Sequence, residues 1–328
     1  MRTISYSALG AAADVLQLSE LETPAPTDDE VLVELHFSGV NPSDVKSRQG
    51  AGSGTPAFDR IVPHSDGSGI ITAVGAGVSQ DRIGERVWIW NGQWQRAYGT
   101  AATHIALHHT QAVVLPDAVT FETGAILGIP GLTAAHAVFG NGDVTRTTVL
   151  VQGGGGTVGL LAVQLAKWGG AKVITTCSKS DIDDCLAAGA DHVFDYRDAE
   201  LVTKILDANS GQLVDRVIEV EFGLNIEADT SVIKQNGIIA AYGSAKSLTP
   251  EIPFRAMLFK AITLDIILIY LLPLDQRLQI IDRLNNALSE NALSCPVARV
   301  FPLDKAVQAH ELVESGVRNG AVLIDVRI

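Results

Sequence analysis

Four glycines in succession, Gly153, Gly154, Gly155 and Gly156, followed by Thr157, Val158 and Gly159, are the residues of this chain best suited to holding a charged ligand. Within them Gly154, Gly156 and Gly159 spell GxGxxG. Glycine permits a tight turn and lets main-chain N–H groups approach a pyrophosphate, while the last glycine lets a helix lie close to the preceding strand. A helix opening there would face phosphates with free N–H groups and the positive end of its dipole. Four glycines could equally make a flexible loop. Context decides between the two: the apolar strand TVLVQ precedes the turn, the amphipathic VGLLAVQLAKWG follows it, and a second strand, AKVITTC, arrives on schedule. The segment is therefore expected to bind a dinucleotide.

The tip of the second strand selects which one. An NAD site wants a carboxylate there for the ribose 2′-hydroxyl, and this chain has Ser178 and Lys179, which could bond and neutralise a 2′-phosphate. NADPH is favoured, although Asp181 lies close by, and Ser178 or Ser180 would also serve as a cap for a helix starting near Asp181.

These residues need elements to carry them. From Val31 to about Val114 short apolar runs such as VLVELHFSGV, GIITAVGAGV, RVWIW and THIAL alternate with Gly, Pro, Asn and Asp, which reads as an all-β region. From Thr148 the rhythm becomes strand, glycine, helix, repeated through AKVITTC, DHVFDY, VDRVIEV and GIIAAYG, the signature of a parallel sheet covered on both faces. After Pro296 short segments return around a helix at Lys305 to Ser315. The fold class is α/β: a doubly wound parallel Rossmann sheet at 119–261, inserted into a β-rich domain built from 1–118 and 262–328.

Composition narrows the partners. With 24 basic against 37 acidic residues the net charge is −13, which repels nucleic acid and anionic membrane surfaces. No charge-free apolar run reaches the roughly 18 residues that span a bilayer, and the N-terminus lacks a secretory pattern, so a cytoplasmic protein is expected. Cys177, Cys185 and Cys295 are an odd number without CxxC spacing, which argues against a disulfide framework.

The whole chain resembles the medium-chain dehydrogenase/reductase superfamily, and within it the zinc-free quinone oxidoreductase, or zeta-crystallin-like, branch. Gly39-Val40-Asn41-Pro42-Ser43-Asp44 looks like the branch's GVNPxD, and Pro63-His64-Ser65-Asp66-Gly67-Ser68-Gly69 followed by Val74-Gly75 is similar to its PGxDxxGxVxxVG. Gly131-Leu132-Thr133-Ala134-Ala135 and VLVQGGGGTVG match two further segments. The resemblance implies that the β-rich domain is GroES-like. Zinc alcohol dehydrogenases of the superfamily place Cys at Asn41 and His at Ser65 and carry a four-cysteine lobe between about 90 and 115, where this chain has no cysteine, so no zinc site is expected. Thr157, Glu221-Phe222 and Ala321 depart from the branch's usual residues.

The resemblance further implies that Asn41 lies beside the nicotinamide as a donor to the acceptor oxygen, with Pro42 next to it; an Asx turn ahead of Pro42 is the plainer role. Asp44 is expected to fix that loop or to take part in acid–base work. Thr133 is implied at the nicotinamide amide, Tyr196 at the adenine ribose or 2′-phosphate, and Tyr242 and Gly243 along the cofactor. Trp90 or Trp94 would suit the face of a flat acceptor, whereas Trp88 and Trp90 share one strand face and core packing explains at least one of them. Without a metal the remaining chemistry is hydride transfer to a quinone or an α,β-unsaturated carbonyl, whose charge spreads over the conjugated system and needs only hydrogen-bond donors. A zinc-free reductase of another carbonyl or of an enoyl thioester, and a non-catalytic NADPH-binding protein of structural or sensing duty, are the alternatives. The apolar AITLDIILIYLLP, with Tyr270 and Leu271, implies by the same resemblance a homodimer formed across strands.

Overall fold

Val31, Val33 and Leu35 alternate along Glu30–Val40 and are at most 1% exposed, the period of two that a sheet with one covered face imposes. The computed structural model describes residues 1–51 and 54–328 and divides into two units, Met1–Ile129 with Cys295–Ile328, and Pro130–Ser294. The first begins with β1 (Arg2–Ser5), α1 (Ala12–Val15), β2 (Gln17–Glu20), β3 (Glu30–Val40), α2 (Pro42–Gln49), β4 (Asp66–Val74), β5 (Arg86–Ile89), β6 (His104–His108), β7 (Ala112–Val114) and α3 (Phe121–Gly124). The second holds α4 (Leu132–Phe139), β8 (Thr148–Val151), α5 (Thr157–Trp168), β9 (Lys172–Cys177), α6 (Ile182–Ala187), β10 (His192–Asp195), α7 (Leu201–Ala208), β11 (Val214–Glu219), α8 (Phe222–Val232), β12 (Ile233–Ala241), α9 (Phe254–Lys260), β13 (Thr263–Ile266) and α10 (Leu274–Ser289). The chain then returns to the first unit with β14 (Val297–Pro302), α11 (Ala306–Ser315) and β15 (Ala321–Asp325).

In the first unit β3 is the spine of a sheet ordered β14-β15-β3-β4-β5-β7, and it also pairs with β6. Its end therefore carries Asn41 straight into α2, and the adjoining start of β4 carries Asp66 opposite Gly39.

In the second unit the order is β10-β9-β8-β11-β12-β13 and every pairing is parallel. Strand order reverses between β8 and β11, and in such sheets the crevice beyond the carboxyl ends of the two strands at that point is where ligands bind. Val149, Leu150 and Val151 of β8 are fully buried, as both-sided cover requires.

The division between the units differs from the one expected. Residues 262–294 belong to the nucleotide-type unit because β13 continues its sheet in parallel beside β12 and α10 packs against α4. Residues 119–129 stay with the β-rich unit. The run Ala261–Pro273 gives only the short β13 and a single turn at Ile269–Leu271. Among the described residues, no helix is long and apolar enough to cross a membrane.

Candidate functional site

Behind β8 the glycines are dictated by contact. Gly153 has φ +73°, and a Cβ there would lie 2.7 Å from Val220 Cγ1. Side chains at Gly154 and Gly155 would meet Thr175 Oγ1 at 2.2 Å and the Asp181 carboxylate at 2.5 Å, and one at Gly159 would meet the Gly153 carbonyl oxygen at 2.2 Å. The last contact is the close strand-to-helix packing the motif calls for. Gly156 is different. It is exposed, precedes α5 as its N-cap, and an added Cβ would have only the Gly153 oxygen nearby, at 3.5 Å. No side chain caps α5, so the N–H groups of Thr157, Val158 and Gly159 in its first turn are left for an anion. This turn fits a diphosphate.

Beyond β9 the structure gives the expected residues more company. Ser178 Oγ donates to Asp181 Oδ2 at 2.7 Å and shares a hydrogen bond with Ser180 Oγ at 2.7 Å. Asp181 is the carboxylate that leans on Gly155. The Lys179 side chain is 82% exposed and its Nζ lies 4.0 Å from Asp195 Oδ2. Tyr196 is half exposed, its N–H donates to the Cys177 carbonyl at 3.1 Å, and the Arg197 guanidinium sits 4.5 Å over its ring. Arg197 is a cation on this rim that sequence reasoning passed over; its signal was its place immediately after Tyr196.

At the end of β12, Tyr242 N–H donates to the Glu219 carbonyl at 3.0 Å, and a side chain at Gly243 would meet the Val220 oxygen at 2.3 Å. The Tyr242 hydroxyl is pushed up from its ordinary value by burial and by nearby Glu219. Thr133 lies buried in the first turn of α4.

The first unit holds its own cluster. Asn41 is the N-cap of α2 with Pro42 at the first helical position, and the Asn41 N–H donates to Asp44 Oδ2 at 2.7 Å. Its side-chain Nδ2 donates to Asp66 Oδ2 at 2.8 Å. Burial raises the Asp44 carboxyl to about 7, and burial followed by Asp44's charge raises Asp66 well above the carboxylate range. Asn41 thus caps α2 ahead of Pro42, close to the plainer expectation of a turn residue, and its amide is oriented by Asp66. Asp44 has the loop-fixing contact expected of it. Trp88 is fully buried in β5, Trp90 is buried with its indole N–H on the Thr110 oxygen at 3.1 Å, and Trp94 is half-buried. Asp66 is the partner that sequence reasoning missed, because it lies 25 residues from Asn41.

Known proteins resemble this chain along nearly its whole length. Residues 27–144 match the alcohol dehydrogenase GroES-like domain and residues 157–284 match the zinc-binding dehydrogenase domain. Quinone oxidoreductase of Rattus norvegicus is 30% identical, over 99% of this chain and 97% of its own. Among solved structures, an NAD-dependent alcohol dehydrogenase superposes with a TM-score of 0.88 at 26% identity, covering 99% of this chain and 100% of that one. A mycobacterial protein complexed with NADPH gives 0.85, also at 26% identity and the same coverage. Uncapped glycine turn, β-rich unit and full-length similarity agree: the chain belongs to the medium-chain dehydrogenase/reductase superfamily, in its quinone oxidoreductase branch.

Proposed function

We propose that this protein is an NADPH-dependent reductase that delivers hydride to a quinone or an α,β-unsaturated carbonyl compound without zinc. The observation that carries the cofactor half is the uncapped amino end of α5, entered through four glycines of which three are too closely packed to bear side chains. Lys179 and Arg197, both exposed at the rim beyond β9 and β10, supply the positive charge that a 2′-phosphate needs, and the serines beside them supply hydroxyls.

The two positions at which zinc relatives place Cys and His hold Asn41 and Ser65 here. Asn41 spends an N–H on Asp66, which makes its nitrogen a donor and not a metal ligand, and Ser65 is a neutral hydroxyl. This set does not fit a zinc ion. When bound, the nicotinamide supplies a hydride. The protein's part is to orient donor against acceptor, exclude water, and offer a hydrogen bond to the oxygen on which charge accumulates. Asn41 is suited to give that hydrogen bond, since Asp66 holds its amide and the second N–H of the amide is left for an acceptor.

The decisive experiment is NADPH oxidation followed at its near-ultraviolet absorbance against a panel of quinones and enals, with and without a chelator. Turnover unaffected by the chelator is expected; no turnover across the panel, or loss of activity on metal removal, overturns the proposal.

Replacing Lys179 by Ala should raise the NADPH dissociation constant about tenfold and leave NADH within about twofold. Stability should hardly change, because an exposed lysine 4.0 Å from Asp195 contributes little. Equal weakening of both coenzymes would show that the phosphate is not read by Lys179, and Arg197→Ala would then be the variant that discriminates them.

A homodimer through the outer side of β13 belongs to the same reading. β13 is an edge strand, and Ile266 is 76% exposed with Phe259, Leu258 and Leu271 exposed on nearby segments. A bare apolar edge invites pairing with another strand. Ile266→Lys should shift the sedimenting species from two chains to one while the far-ultraviolet spectrum stays unchanged. Wild-type protein that sediments as a single chain at micromolar concentration would rule the dimer out.

A further inference from the structure

Directly behind the phosphate turn two carboxyl groups are packed together with no exposure at all. Glu219 ends β11 and Asp229 lies on α8, and both side chains are fully buried. Glu219 accepts from the Glu221 N–H and from Asn225 Nδ2 at 3.1 and 3.2 Å. Asp229 Oδ1 accepts from Gln152 Nε2 at 2.9 Å, and its Oδ2 has no donor. A second ionised carboxylate in that place would be unpaired in a low-dielectric interior. The Asp229 carboxyl therefore keeps its proton and donates a hydrogen bond to Glu219, and its pKa is held well above the ordinary carboxylate range by burial and then by Glu219's charge.

The pair is wired to the turn. Gln152 Oε1 accepts from Thr176 Oγ1 at 2.6 Å, and Thr176 Oγ1 accepts from the Gly153 N–H at 3.3 Å. Gly154 N–H donates to the Thr176 carbonyl at 2.8 Å. Gly153 is the residue with φ +73° that starts the turn. Among the described residues, Glu221 beyond β11 and Tyr242 just after β12 are the other titratable groups facing the pair, joined by Gln152 just after β8 and Thr176 of β9; none of these is a cation.

We infer that Glu219 and Asp229 are positioning residues that share one proton and, through Gln152 and Thr176, hold the glycine turn in its anion-accepting form, so that loss of the shared proton weakens coenzyme binding. This rests on the reading that the turn receives the NADPH diphosphate. The physical cause is twofold. Ionising Asp229 turns its contact with Glu219 from attraction to repulsion, which strains the relay to Gly153, and it adds a negative charge behind the site of two phosphates.

The test compares wild type with Asp229→Asn, whose side-chain N–H can still donate to Glu219 while its oxygen accepts from Gln152, with no proton to lose. NADPH dissociation constants are measured by fluorescence titration between pH 7 and 9.5, alongside melting temperatures of the coenzyme-free proteins. Wild type should bind about tenfold more weakly at the alkaline end and melt lower there. Asp229→Asn should match wild type at pH 7 within about twofold and lose both alkaline effects. Thr176→Val, which cuts the relay, should weaken binding severalfold at every pH. Parallel alkaline profiles in wild type and Asp229→Asn, or a flat wild-type profile, overturn the inference while NADPH binding itself stands. Failure of wild type to bind NADPH at any pH removes the reading of the turn, and the inference falls with it.

Discussion

Gly156→Asp should make the coenzyme-free protein more stable and its NADPH binding at least about 100-fold weaker, a loss of about 2.7 kcal/mol. The two effects have one origin. Gly156 has φ −79° and ψ 160°, angles that any residue adopts and that N-cap residues prefer, and the only atom near an added Cβ is 3.5 Å away. An aspartate there would accept from the idle N–H groups of the first turn of α5 and complement the helix dipole, worth about 1 kcal/mol. The same carboxylate would occupy the place of the diphosphate and repel it. Thermal unfolding and fluorescence titration of one protein sample read both signs. A variant that gains stability and still binds NADPH normally would show that the diphosphate rests elsewhere.

Asn41→Ala should lower the turnover number about 100-fold, the usual cost of removing one donor from a developing oxyanion, while the NADPH dissociation constant stays within about twofold. The structure adds a second consequence. Asp66 Oδ2 loses the amide that donates to it at 2.8 Å inside a fully buried site, so the variant should also be destabilised, by about 1–3 kcal/mol. Asp66→Asn separates the two roles, since it removes the titratable group and keeps a polar neighbour for Asn41. An unchanged turnover number in Asn41→Ala would take Asn41 out of the chemistry and leave it the cap of α2.

The strands β8 to β12, their parallel character and the helices α5, α6 and α11 were readable from residue order alone, since period-two runs and the strand-glycine-helix rhythm are local properties; α2, which lies within the stretch read as all-β, was not. The glycine turn was readable for the same reason: whether a residue can bear φ +73°, or can lie with the Gly153 carbonyl oxygen 2.2 Å from where its Cβ would be, is decided by that residue itself. Cues of this kind survive in one dimension.

What folding alone revealed is the company each polar group keeps. Asn41 and Asp66 are joined because β3 and β4 lie antiparallel, Asp181 reaches Gly155 because β8 and β9 are neighbours, and Glu219 meets Asp229 because α8 turns back over β11. The unit boundary is of the same sort, since β13 belongs wherever its hydrogen bonds to β12 are made. A buried carboxyl is charged or neutral according to neighbours that packing brings from distant parts of the chain, and no spacing along the chain encodes that desolvation.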